Sequence, residues 1–80
     1  MSHSEPLTVT ETIHHGDYYN VRTVVMRPTW EGFVAMLQGS PYNAGKTPDD
    51  IAGNRYAARL FADLLTKRRG SWGWADYRVS

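Results

Sequence analysis

The sequence predicts a small α+β domain in ββααβ order, a three-stranded sheet with two helices packed on one face. Three observations carry that expectation. Two runs of alternating, β-branched residues flank Gly16-Asp17. Two later segments repeat apolar residues at i, i+3, i+4 and i+7, the spacing of one helix face. The chain has 80 residues, which suits one domain, 1–80, with one core.

Residues 1–6 are expected to form a flexible tail, and they lack the basic and apolar regions of a secretory leader. Strand one begins at Leu7, where Leu7, Val9 and Ile13 alternate with Thr8, Thr10, Thr12 and His14. Glu11 interrupts the apolar side. Strand two runs from Tyr18 to Met26, and the Gly-Asp between the two runs marks a hairpin. Two registers compete. A two-residue Gly16-Asp17 turn sets Glu11 opposite Arg22 and Val9 opposite Val24. A three-residue loop instead gathers Leu7, Val9 and Ile13 with Tyr19, Val21 and Val25. The apolar pattern favours the second, which is the register expected.

Pro28 stops strand two, and Thr29 is placed to cap a helix carrying Trp30, Phe33, Val34 and Leu37. Gly39 closes that helix, and Gly39 to Lys46 reads as loop. Thr47-Pro48-Asp49-Asp50 opens the second helix, with Ala57, Leu60, Phe61 and Leu64 as its stripe. Lys67, Arg68 and Arg69 fill its last turn, and Gly70 ends it. Ser71 to Ser80 alternates as a single third strand. Strand order stays open. Order 1-2-3 is antiparallel, and order 3-1-2 sets strand three parallel to strand one.

Composition excludes several classes. With 41% hydrophobic residues and a net charge of +1, the chain is neither disordered nor a charge-driven polyanion binder. It has no cysteine, which rules out disulfides, thiol nucleophiles and Cys-ligated metals. No apolar run reaches the ~20 residues of a membrane span, so a soluble, cytoplasmic protein without a membrane partner is expected. Stability must come from packing, with a partner or a homodimer as the available supplements.

The chemistry-bearing motifs are weak. Ala44-Gly45-Lys46-Thr47 echoes a phosphate-binding loop, but Ser40 stands where the first glycine belongs and a helix precedes the loop. A capped loop explains it better. Adjacent His14 and His15 point to opposite sides of a regular strand and cannot readily chelate one ion. His3 and Asp17 do not complete a ligand set. Asp49 and Asp50 suit a helix start, and Ser40 and Ser71 lack a nucleophile elbow. No enzyme, cofactor or metal site is expected.

The aromatic and basic residues say more. Three Trp, five Tyr and two Phe are generous for so small a core. Trp72 and Trp74 share one side of the third strand, so one sheet face can present an indole pair. Trp72, Trp74, Tyr42, Arg55, Tyr56 and Arg59 are the expected partner-binding residues, because interfaces favour Trp, Tyr and Arg. The bland alternative is that the indoles are core and the tyrosines fill its rim. Lys67, Arg68 and Arg69 form a basic helix end able to contact nucleic acid, or merely to complement the helix dipole. The expectation is a non-catalytic protein-binding module. Small cysteine-free inhibitors from phages and mobile elements have this character, including anti-CRISPR proteins that block a host nucleoprotein complex. The alternative is a small DNA- or RNA-binding regulator using Lys67, Arg68 and Arg69.

Overall fold

The computed structural model describes residues 5–80. Of the expected tail only Glu5 and Pro6 fall within it, and His3 lies outside the described residues. In chain order the elements are β1 (Leu7–His14), β2 (Tyr19–Met26), α1 (Trp30–Gln38), a 3-10 turn (Pro41–Asn43), α2 (Pro48–Ala52), α3 (Ala57–Leu65), β3 (Gly70–Trp72) and β4 (Ala75–Val79). The strands form one antiparallel sheet in the order β2-β1-β4-β3. The α+β class holds, but the sheet has four strands where three were expected, and there are three α-helices where two were expected.

The extra strand comes from Gly73-Trp74. These two residues turn the chain, so that Trp72 pairs with Ala75 and Ser71 with Asp76. Gly73 adopts φ +61, and a Cβ there would overlap the Tyr42 hydroxyl. Glycine therefore serves both the turn and the close approach. Gly-Trp is not a strong turn dipeptide, and the alternation runs straight through it. The hairpin also reverses the chain. The last strand lies beside β1, but antiparallel to it rather than parallel.

The expected second helix breaks at Gly53 and Asn54. Gly53 caps α2, and the Asn54 side chain accepts from the Tyr56 amide at 2.8 Å. Arg55 and Tyr56 thus lie in a link, not on a continuous helix with Arg59. At the other end α3 stops at Leu65. Lys67 takes φ +57, the Lys67 amide donates to the Leu64 carbonyl and the Arg68 amide to that of Asp63. This closure satisfies the last carbonyls, and it places Lys67, Arg68 and Arg69 beyond the helix. The two other caps form as expected. Thr29 accepts from the Gly32 amide, and Thr47 and Asp50 make a reciprocal capping box.

The hairpin register is the two-residue one. Glu11 pairs with Arg22 and Val9 with Val24. The expectation from apolar matching is overturned, leaving Val21 54% and Val25 68% exposed. The helix-facing side of the sheet carries Val9, Glu11, Ile13, Met26, Trp72, Ala75 and Tyr77, all buried. Against them pack Phe33, Leu37, Ile51, Leu60 and Leu64. Trp30, Phe33 and Phe61 form an aromatic cluster with centroids 5.1 to 5.4 Å apart, and Phe61 is half-buried.

Candidate functional site

Glu11 decides the register and lies at the centre of the core side. It is 1% exposed. The Arg22 Nε donates to its Oε1 at 2.6 Å, and the Tyr77 hydroxyl donates to its Oε2 at 2.6 Å. Arg22 Nη2 also donates to the Met36 carbonyl, tying β2 to α1. Burial pushes the Glu11 carboxyl up. Hydrogen bonds from Arg22, Tyr77 and Ser40, with the Arg22 charge, outweigh that and hold it below the ordinary value of 4.5. Burial and the Glu11 carboxylate push the Tyr77 phenol well above its ordinary 10. No buried side-chain nitrogen or oxygen among the described residues lacks a partner. A carboxylate closed off in this way has no room for a substrate, so the network holds the fold and offers no reaction centre. The signal for it was the Glu11–Arg22 pairing implied by the shorter turn.

The other side of the sheet is uncovered. Along β1 it shows Thr8, Thr10, Thr12 and His14. Pairing sets Val25 beside Thr8, Thr23 and Arg78 beside Thr10, Val21 and Asp76 beside Thr12, and Tyr19 beside His14. The face is therefore apolar along β2, hydroxylated along β1 and charged along β4. His14 Nε2 lies 2.9 Å from Asp76 Oδ2, both side chains about half exposed. Beside this pair is a groove of about 250 Å³ lined by Thr10, Thr12, His14, Arg69, Asp76 and Arg78. The His14 amide donates to the Trp74 carbonyl, which places Trp74 at the His14 end of this face.

The expected partner-binding residues scatter. Trp72 and Trp74 do not share a face, because Trp72 ends β3 on the buried side while Trp74 is itself the second residue of the turn and lies beside His14. Trp72 is 4% exposed and donates through Nε1 to Asn43 Oδ1, whereas Trp74 is 71% exposed. Tyr42 is half-buried, and its hydroxyl accepts from the Trp74 amide. Arg55 lies over the Tyr56 ring at 4.9 Å and donates to its hydroxyl. Tyr56 and Arg59 line a second groove of about 370 Å³ with Leu60, Asp63, Arg69 and Ser71. Arg69 lines both grooves, so it alone of Lys67, Arg68 and Arg69 joins the helix side to the open sheet face. Tyr19, Val21 and Val25 also lie on this face, although the register expected from apolar matching turns them inward. His14 and His15 part as their alternation requires: His14 pairs with Asp76, and His15 stacks on Tyr18 at 4.9 Å.

No family model matches the chain, and no curated protein or solved structure is significantly similar to it. Among the described residues, no helix is long and apolar enough to cross a membrane.

Proposed function

We propose that the protein is a non-catalytic binding module whose partner is another protein and whose docking surface is the uncovered sheet face around Trp74 and Tyr19. The observation that carries this reading is the placement of its exposed apolar groups. Tyr19, Val21, Val25 and Trp74, four of the seven large hydrophobics exposed among the described residues, gather on one face, whereas Tyr18, Tyr56 and Leu65 lie apart from them. Aromatic side chains with Arg and hydroxyl neighbours are the residues that anchor protein interfaces. In its sharpest form the partner is a host protein or nucleoprotein complex that the module inhibits, in the manner of anti-CRISPR proteins. Small size and the lack of a catalytic motif support that form.

A second reading has its own observation. Arg59, Arg69 and Arg78 follow one another across two grooves that meet at Arg69, with Tyr56 beside them. A basic track next to an aromatic ring suits a single nucleic-acid strand.

The test compares Trp74→Ala with the pair Arg69→Ala and Arg78→Ala in tagged protein incubated with nuclease-treated lysate of the native host. The protein-binding reading expects a captured partner that survives nuclease. Trp74→Ala should weaken its binding by about 2 kcal/mol, roughly 30-fold, with the fold intact. Micromolar binding to single-stranded DNA or RNA near physiological salt, lost in the Arg pair and untouched by Trp74→Ala, would reverse the ranking.

A further inference from the structure

We propose that β2 is a self-association edge, through which the protein pairs with a second copy of the chain, antiparallel about a two-fold axis at Thr23. The inference does not rest on the identity of any other partner.

The two edges of the sheet are built differently. β3 is three residues long and follows Lys67-Arg68-Arg69. Its Gly70 sits so close to α3 that a Cβ would meet Leu60 Cδ1 at 2.5 Å. Short length and flanking charge are the usual protections of an edge strand. β2 has neither. It is eight residues long, without Pro or Gly. Its one charged residue, Arg22, is turned to the helix side and held by Glu11.

The backbone groups on this edge follow from the ladder. The His15 amide donates to the Tyr18 carbonyl, so that pair is hydrogen-bonded. Hydrogen-bonded and open pairs then alternate along an antiparallel ribbon. Asn20, Arg22, Val24 and Met26 bond to β1. Tyr19, Val21, Thr23 and Val25 direct their N–H and C=O groups outward. Among the described residues nothing pairs with this edge.

A second copy is the occupant because the edge is complementary to itself. With Thr23 against Thr23 of the partner subunit, Val21 meets Val25 of the partner subunit and Tyr19 meets Arg27 of the partner subunit. Every residue from Tyr19 to Arg27 gains a counterpart. The valines, each more than half exposed, cover one another, and an arginine reaches an aromatic ring. A slip of one residue toward the hairpin sets two copies of Arg22 opposite each other, which like charge disfavours. A slip the other way shortens the paired segment. On the helix side the edge is flanked by a groove of about 280 Å³ where α1 and its cap present Gly32, Ala35, Met36 and Gly39, three of them small. The product is one continuous sheet of eight strands with the two open faces joined.

The experiment is sedimentation equilibrium of the full chain over a wide concentration range. Wild type is expected to reach twice the mass of one chain, and Thr23→Lys to remain at the single mass with unchanged circular dichroism. The chain has no cysteine, so Thr23→Cys carries the only thiol. Paired Cα atoms about 5.5 Å apart lie within disulfide range, and mild oxidation should link this variant covalently to itself. Thr10→Cys, on the same face but a central strand, should not link. Wild type that stays at the single mass at every concentration overturns the proposal. So does a dimer that survives Thr23→Lys, or cross-linking of Thr10→Cys as fast as Thr23→Cys.

Discussion

The two sides of β1 obey opposite rules although their residues alternate along one strand. Toward the helices it presents Val9, Glu11 and Ile13, all buried, and toward water Thr8, Thr10, Thr12 and His14. Hydrophobicity alone does not sort them, since a glutamate is inside while Val21 and Val25 of the next strand are outside. Partners sort them instead. Glu11 goes inside because Arg22 and Tyr77 meet it there, and the valines stay outside because the same pairing turns them outward. The inner side specifies one structure, and the outer side is left uncovered.

Three predictions press on that contrast. The largest effect is expected at Trp72. Its indole fills the inner side and satisfies Asn43, so Trp72→Ala should cost about 3–5 kcal/mol by chemical denaturation. A loss below 1 kcal/mol would mean that the two tryptophans are not divided as described.

An intermediate effect is expected in the Glu11 network. Tyr77→Phe withdraws a buried donor from the carboxylate and should cost about 1–3 kcal/mol at neutral pH. The network also shapes the pH profile. Glu11 has a lowered pKa in the fold, so its contribution is present above the unfolded value of 4.5 and is lost as pH falls below it. Tyr77 has a raised pKa, so its contribution is present below 10 and is lost as pH rises above it. Melting temperatures of wild type, Glu11→Gln and Tyr77→Phe should show the acid limb flattened in the first variant and the alkaline limb in the second. Parallel profiles for all three would remove Glu11 from its assigned role.

The smallest effect is expected at Trp74. Its ring stands in solvent, so Trp74→Ala should shift stability by no more than about 0.5 kcal/mol. A large loss of stability there would make the open face part of the core.

Local signals carried much of the fold into the sequence. The first hairpin, the Thr29 and Thr47 caps and the helix stripes through Phe33 and Leu60 can all be read from spacing and capping chemistry. What failed was punctuation and pairing. Gly73-Trp74 sits inside an unbroken alternation, and its turn depends on Tyr42, 31 residues earlier in the chain. The break at Asn54 depends on one side chain accepting from the amide two residues on, inside an otherwise helical stretch. The register depended on Tyr77, 66 residues from Glu11, which made a buried carboxylate acceptable. The candidate site followed the register. Trp74 is legible as a surface aromatic, but apolar matching turns Tyr19, Val21 and Val25 to the wrong side with their whole strand.

The position of β4 has a consequence for folding. It is the last strand of the described chain, yet it lies inside the sheet, between β1 and β3. A nascent chain that has emerged only as far as α3 has its first hairpin and helices but lacks the Tyr77 hydroxyl and the backbone that pairs with β1. Until β4 arrives, Glu11 lacks one donor and β1 is an open edge. Contacts between such distant segments form late and slow folding, so the unfinished chain exposes two unpaired edges where the finished domain keeps only β2 at full length. Chaperone demand during synthesis should therefore peak just before the second hairpin docks.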